Sequence, residues 1–331
     1  MLRHGLALVL GVSLLAGCGT ATTGDGNAAR PERDKLLIAV VPKATSHEFW
    51  KSVHAGAVQG EKAAGVRIVW KGPLTESDRE AQINLVQDFI AQNVDGICLA
   101  PLDSQALIPV VREARLANIP TVIFDSGLDD ADGIVSFVAT DNYRGGQIAG
   151  RHLGQLLGGR GRVIVLRQAV GSQSSEQREQ GCIDTLEKEF PGIEIISSNE
   201  YAGDTSDKAL VKSQQLLLTF GDRVDGIFTP GQHVSTGMLR ALEEQNLAGK
   251  VKFVGFDFGP ELVLALRAKK MHGLVLQDPV HMAELAVTTL AAHLRGQKVE
   301  PRIGTGETLA TPENMDEPEI KKLLEPPLYN D

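Results

Sequence analysis

VDGIFTPGQHVSTGMLRALEEQNLAGKVKFVGFDFG, residues 224–259, decides how this chain folds, because residues 94–127 are its near-double, VDGICLAPLDSQALIPVVREARLANIPTVIFDSG. Each copy opens on Val-Asp-Gly-Ile and a short apolar run, then turns a polar corner. Each continues with helical periodicity into a second apolar run that ends on Phe-Asp. The tetrads begin 130 positions apart, at Val94 and Val224, and the aspartates Asp125 and Asp257 lie 132 apart. An offset held over two strands and a helix is an internal duplication, too long for a solenoid period. It predicts two similar α/β lobes with polar residues just past the strand ends, where open α/β sheets bind ligands. Asp125 and Asp257 are then expected to face one another across a cleft.

Outside the duplicated frame, strands and helices keep alternating. Strands are predicted at 36–41, 66–70, 96–100, 121–124 and 134–139, with helices at 48–64, 78–92 and 104–117. The pattern restarts with helices at 142–157, 174–190, 205–220, 234–245 and 260–268. Its strands fall at 162–166, 193–198, 226–228, 252–256 and 273–277, with a turn at the glycine-rich 158–161. A long helix at 281–294 and a short strand at 303–309 precede a Pro- and Glu-rich tail. This order predicts an α/β fold of two similar doubly wound lobes, each a parallel sheet covered by helices on both sides.

The 331 residues are 42% hydrophobic and 23% charged, which is globular composition on a scale that allows two sizeable cores. A formal net charge of −9 with no compensating basic run argues against a nucleic-acid binder. Internal apolar runs are too short to span a bilayer. The N-terminus differs: Arg3, an apolar run at 6–15 and then Leu15-Ala16-Gly17-Cys18 read as a secretory signal. That tetrad resembles the bacterial lipobox, which implies removal of residues 1–17 and a lipid on the Cys18 sulfur. Residues 18–35, rich in Thr, Gly, Ala and charge, read as a flexible tether. Cys98 falls in an apolar run and Cys182 in a helical pattern of the other lobe, so both are expected to be buried free thiols.

Ordered along the chain, several short matches together resemble the ribose-binding-protein type of periplasmic sugar-binding protein, the substrate-capture component of ABC importers. They are Ser46-His47-Glu48-Phe49-Trp50, Asn118-Ile119-Pro120-Thr121-Val122 ending at Asp125, and Thr140-Asp141-Asn142-Tyr143-Arg144-Gly145-Gly146. Arg178 with Gly181, Val254-Gly255-Phe256-Asp257 and Leu276-Gln277-Asp278-Pro279 complete the set. The resemblance covers residues 36 to about 309. It implies the type I periplasmic binding protein fold: two lobes joined by a multi-segment hinge, with the sugar between them. Crossings are then expected near 140–142, 277–279 and 296–303. The lobes become 36–140 with 279–302, and 141–278 with 303–331.

A sugar presents hydroxyls and patches of C–H surface, so its receptor needs aromatic faces and planar, multidentate polar groups. His47, Phe49 and Trp50 follow the first strand, where rings should project toward the ligand. Asp125 and Asp257 are the candidate ligand carboxylates, each accepting hydroxyls, with capping of a following helical turn as their alternative role. Gln277 stands at a strand end entering a hinge, and Arg178 lies in the helix after Ser174. Asp103 follows the third strand and either meets the ligand or caps the next helix. Gln232, beside His233, occupies the matching corner of the second lobe. The sequence departs from the resembled family at Ala100, where an asparagine is usual, and at Glu176, where an arginine often grips the sugar. It departs again at Gly231-Gln232, in place of Asn-Asp, and at Ser126, where ribose binders carry an arginine. These differences argue against ribose itself.

Other chemistries find little support. The glycine-rich 158–161 precedes a strand, whereas a dinucleotide loop follows one. The eight histidines show no zinc-ligand spacing, so neither metal nor cofactor is expected. No Gly-x-Ser-x-Gly elbow occurs. Paired aspartates suit a glycosidase as well, but no apolar pocket to raise one of their pKa values is visible, so no enzyme is expected. The expectation is a monomeric, lipid-anchored, extracytoplasmic protein that passes a monosaccharide-like ligand to an ABC permease. The alternative is a receptor subunit presenting it to a sensor kinase or chemoreceptor. A lactose-repressor-type regulator would share the core but needs a DNA-binding helix-turn-helix before residue 36. Cys18→Ser should abolish labelling with radioactive palmitate and release the protein from membranes; continued labelling would refute the lipobox.

Overall fold

The computed structural model describes residues 1–2 and 34–329. The signal, tether and Cys18 lipidation expectations lie outside the described residues, and the compact unit that begins at residue 33 carries everything below. Among the described residues the first sheet contains β1 (Leu37–Val41), β2 (Arg67–Trp70), β3 (Gly96–Leu99), β4 (Thr121–Phe124), β5 (Ser136–Ala139) and, from far along the chain, β11 (Arg302–Gly304). The second contains β6 (Arg160–Val165), β7 (Gly192–Ser197), β8 (Gly226–Phe228), β9 (Lys252–Phe256), β10 (Gly273–Leu276) and β12 (Thr308–Ala310). Their orders, β11-β5-β4-β3-β1-β2 and β12-β10-β9-β8-β6-β7, are the same doubly wound pattern twice. Every pairing is parallel except β10 with β12. The order reverses between β1 and β3 and between β6 and β8. Those switch points, at the carboxyl ends of the strands, are where such sheets open a crevice.

Strands β3, β4, β8 and β10 are buried at every residue, as covered parallel sheets require. In the first lobe α1 (Glu48–Ala64) and α9 (Pro279–Leu294) cover one face, while α2 (Arg79–Ala91) and α3 (Ile108–Leu116) cover the other. In the second lobe α4 (Asn142–Leu156) and α5 (Gln173–Glu189) cover one face. The opposite face carries α6 (Ser206–Phe220), α7 (Gln232–Glu244), α8 (Pro260–Arg267) and α10 (Pro318–Leu324). The duplicated stretches are thus β3-α3-β4 and β8-α7-β9. Cys98 and Cys182 are buried and unpaired, and burial pushes both thiols well above the ordinary cysteine range.

Between lobes the chain crosses at 139–142, 276–279 and 304–308. The first two crossings end in aspartate caps: Asp141 Oδ1 accepts the Arg144 N–H at 3.0 Å, and Asp278 Oδ1 accepts the His281 N–H at 2.9 Å. Pro279, at the first position of α9, fixes that start further. Thr140 Oγ1 lies 3.2 Å from the Gly306 carbonyl and 3.3 Å from Thr305 Oγ1, so the first and third crossings touch.

Several expected boundaries move. The single strand at 303–309 is two strands in different sheets, so the third crossing falls inside it and Ile303 and Gly304 belong to the first lobe. Helix α3 starts at Ile108 because Asp103 Oδ1 takes the N–H groups of Gln105 and Ala106 in a local turn. Arg160 and Gly161 already pair in β6. The Pro- and Glu-rich tail forms α10, which buries Ile320 and Leu324 in the second lobe. The chain then returns to the first, where the Tyr329 N–H donates to the Lys51 carbonyl at 3.1 Å.

Glycines in α4 and α5 let these helices pack main chain to main chain. A methyl at Gly146 would overlap the Arg178 carbonyl, and one at Gly181 the Tyr143 carbonyl. Gly146→Ala should therefore force α5 outward and cost about 1–3 kcal/mol, read as a lower urea midpoint at unchanged m-value.

Candidate functional site

The carboxyl ends of both sheets converge on one small cavity, about 30 Å³ in volume. From the first lobe come Lys43, His47, Phe49 and Trp50 after β1, Glu76 after β2, and Asp125 after β4. From the second come Gln168 after β6, Ser174, Ser175 and Arg178 at the start of α5, Gly231, Gln232 and His233 after β8, Asp257 after β9 and Gln277 after β10.

Asp125 and Asp257 occupy equivalent positions in detail. Each backbone N–H continues its sheet, donating to Val138 at 3.0 Å and to Val275 at 2.8 Å. Each then takes a left-handed backbone, with φ of 62° and 67°. Aspartate tolerates that region better than most residues, at a cost of about 1–3 kcal/mol, and such strain concentrates at functional sites. Neither side chain caps a helix: the cap position of α8 is Gly259, and α4 is capped by Asp141. The capping alternative is therefore excluded.

Each aspartate has its own cation. Lys43 Nζ lies 3.1 Å from Asp125 Oδ2 and donates across the cleft to Ser172 Oγ at 3.1 Å and Ser174 Oγ at 2.9 Å. Arg178 Nη1 lies 3.6 Å from Asp257 Oδ2, and Gln277 Nε2 donates to Asp257 Oδ1 at 2.7 Å. Arg178 itself is fixed on three sides: Nε donates to Asn142 Oδ1 at 2.8 Å, Nη1 donates to the Pro230 carbonyl at 2.9 Å, and the guanidinium stacks 4.0 Å from the centre of the Phe256 ring. Burial pushes the Asp257 carboxyl above its ordinary range, against the opposing pull of Arg178, Gln277 and the Gln232 N–H. The sequence showed no environment that would raise a carboxyl; the burial of Asp257 in the cleft creates one.

On the other side of the cavity Glu76 is the organising group. It accepts from Trp50 Nε1 at 2.8 Å and, across the cleft, from Gln168 Nε2 at 2.8 Å. Burial alone would raise its carboxyl, but His47 beside it and the charges of His233 and Lys43 hold it well below the ordinary range. His47 of the first lobe stacks on His233 of the second with ring centres 5.0 Å apart. Gln232 Nε2 adds a further bridge between the lobes, donating to Glu48 Oε2 at 2.7 Å.

Of the residues singled out in the sequence, His47, Phe49, Trp50, Asp125, Arg178, Gln232, Asp257 and Gln277 line the cavity. Asp103 does not: its carboxylate holds the turn before α3 and pairs with Arg79 Nε at 2.9 Å. Ser126 is buried beside the cavity rather than in its lining, its Oγ accepting the Ser174 N–H at 3.2 Å. Phe49 and Trp50 also belong to the first lobe's core. Lys43, Glu76 and Gln168 were missed. Lys43 sits two residues past a buried strand, a position that should have drawn attention, whereas Glu76 and Gln168 lie in loops with no local pattern.

The chain belongs to the periplasmic binding protein domain family, whose model matches residues 38–298. It is 27% identical over 266 residues to the ribose import binding protein of Haemophilus influenzae, a match covering 80% of this chain and 88% of the relative. A carbohydrate-transporter solute-binding protein from Agrobacterium radiobacter, solved with D-arabinose, superposes with a TM-score of 0.85 at 30% identity, covering 89% of this chain and 100% of that one. An ABC-transporter solute-binding protein from Agrobacterium vitis with bound D-fucose gives 0.83 at 32% identity, covering 87% and 100%.

Arg178 compensates a buried carboxylate within one lobe, so its removal should be felt in stability. Arg178→Leu should cost about 3–5 kcal/mol at pH 7, the scale for orphaning a buried charge. Because Asp257 is already raised and would rise further, protonation relieves the loss. The deficit against wild type should shrink as pH falls toward 4.5, measured by urea unfolding at both pH values.

Proposed function

We propose that the chain is the extracytoplasmic solute-binding component of an ABC importer, holding an uncharged sugar or sugar-like ligand in the interlobe cleft and delivering it to a membrane permease. One observation carries this reading. Three buried acceptor oxygens in the cavity, Asp125 Oδ2, Gln232 Oε1 and Gln277 Oε1, make no hydrogen bond within the protein. Asp125 Oδ2 has Lys43 beside it, but as an ion pair outside hydrogen-bond geometry. Buried acceptors left this way are costly unless a donor meets them, and a ring of hydroxyls is a compact set of donors.

The charge balance narrows the ligand class. Lys43 and Arg178 are each matched by an aspartate and Glu76 remains over, so the side chains themselves leave no spare positive charge to attract a phosphate or carboxylate. Phe49 and Trp50 supply apolar edges for C–H surface, with His47 beside them. Asp125 and Asp257 accept hydroxyls, Gln232 and Gln277 complete the polar ring, and Arg178 steadies Asp257. Binding rather than hydrolysis fits Asp257, because Gln277 already donates to one of its oxygens and Arg178 pairs with the other, which holds the carboxyl as an acceptor rather than as an acid for a leaving group.

The mechanism is closure. Contacts such as Lys43 with Ser174 and Gln168 with Glu76 join opposite lobes, so they exist together with the full ligand site only when the cleft is shut. A ligand that touches both lobes therefore shifts the population toward the closed form. We assign the lobes as 36–140 with 279–304 and 141–278 with 305–324, the segment after α10 running back to the first lobe at Tyr329. Lipid on Cys18, supported by the lipobox-like tetrad, would hold this monomer at a bacterial membrane beside its permease.

A thermal-shift panel of pentoses, hexoses and polyols should find a ligand that raises the melting midpoint. For that ligand Asp257→Ala should weaken binding at least about 100-fold in calorimetry, the loss of two charge-assisted hydrogen bonds. Near-unchanged affinity would sink the assigned site.

A further inference from the structure

The cleft gathers three metal-ligating side chains from distant parts of the chain. His47 stands at the start of α1 and Glu76 in the loop after β2, both in the first lobe; His233 lies in the first turn of α7, in the second. One ligand atom from each falls within 4.8 Å of the others. Two imidazoles and a carboxylate suit zinc and its neighbours cobalt and nickel, whereas calcium and magnesium favour all-oxygen shells.

The groups around His233 and Glu76 are those a metal site needs. Ligating histidines almost always donate their other ring N–H to a carbonyl or carboxylate, and ligating carboxylates are themselves hydrogen-bonded. His233 Nε2 lies 3.1 Å from the Gly203 carbonyl. A carbonyl only accepts, so Nε2 carries the proton and Nδ1 keeps its lone pair. Both oxygens of Glu76 are oriented by donors, one by Trp50 in its own lobe and one by Gln168 across the cleft. His47 Nδ1 is 3.7 Å from Glu76 Oε1, against roughly 3.4 Å between ligands of a tetrahedral ion bonded at about 2.0–2.1 Å. The His233 ring, lying at 28° to that of His47, must turn its edge toward this pair.

We propose that His47, Glu76 and His233 form a binding site for a zinc-class divalent ion that bridges the two lobes and stabilises the closed cleft. Two ligands belong to one lobe and the third to the other, so the site is complete only on closure. Its fourth position faces the cavity and is left to water or to a ligand oxygen. Metal and sugar should then strengthen each other's binding by the same factor, since equilibrium coupling is reciprocal. That coupling rests on the closing cleft proposed above; the metal site itself does not.

The test uses the mature chain freed of any affinity tag and stripped with chelator, without sugar. Zinc chloride titrated by calorimetry should bind one ion per chain. His47→Ala, His233→Ala and Glu76→Gln should each weaken it at least about tenfold, the loss seen when even an outer partner of a metal ligand is removed. A metal-free melting curve for each variant checks that it folds, with His233→Gln as the milder substitute where alanine does not. Cobalt should give the intense visible bands of a four-coordinate ion in wild type and lose them in the variants. In small-angle scattering, zinc alone should make wild type more compact and leave His233→Ala unchanged. No binding, or equal affinity in wild type and the histidine variants, overturns the site. One-to-one binding that needs all three residues without compaction overturns the bridge between lobes. Neither result touches the sugar-binding reading, which the thermal-shift panel decides separately.

Discussion

Moving a carboxylate out of water costs several kcal/mol unless a cation and hydrogen-bond donors meet it, and this chain does so twice, at equivalent strand ends. Asp125 is met by Lys43 and Asp257 by Arg178 with Gln277. The two solutions differ in a way that matters. Arg178 approaches Asp257 from within the same lobe, so that pair persists whether the cleft is open or shut. Lys43 also belongs to the lobe of its aspartate, but its hydroxyl partners Ser172 and Ser174 lie opposite, so its environment changes with closure. One half of the site is thereby built within a single lobe, while the other is completed by contacts across the cleft.

Asn142 links the halves. Its Nδ2 donates to the Asp125 carbonyl at 3.3 Å while its Oδ1 accepts from Arg178 Nε at 2.8 Å. It stands at the first crossing, one residue after the Asp141 cap, so the hinge, the Asp125 backbone and the cation of Asp257 share one amide side chain. The glycines that follow explain why this works. Gly145 faces the Phe256 ring and Gly146 the Arg178 main chain. With larger residues there, α5 would stand off and its guanidinium would lose the ring and the Pro230 carbonyl together.

The duplicated frame, the alternation of elements and the paired aspartates were legible in the sequence because each is written in local periodicity or in a repeat. The boundaries that failed are those set by partners distant along the chain. Residues 303–309 read as one short strand, and nothing local says that its two ends join different sheets. Asp103 read equally well as ligand or cap, and Arg79, 24 positions earlier in the chain, settles it. Glu76 was invisible for the same reason: Trp50, Gln168, His47 and His233 give it meaning, and they come together only when both lobes are built. Chemistry made by a fold from separated single residues leaves no spacing to read.

The three described crossings, together with the chain's return to the first lobe at Tyr329, set what kind of machine this can be. A body held by one strand can swing and twist about it; two strands remove some of that freedom, and a third, bonded to the first through Thr140 and Thr305, removes more. What remains is close to a single angle, with the Asp141 and Asp278 caps marking where the rigid parts begin. With so little freedom left, the opening angle alone carries the state of the cleft. Any partner that grips both outer surfaces, such as a membrane complex, would be measuring that one coordinate and so reading occupancy without ever touching the ligand.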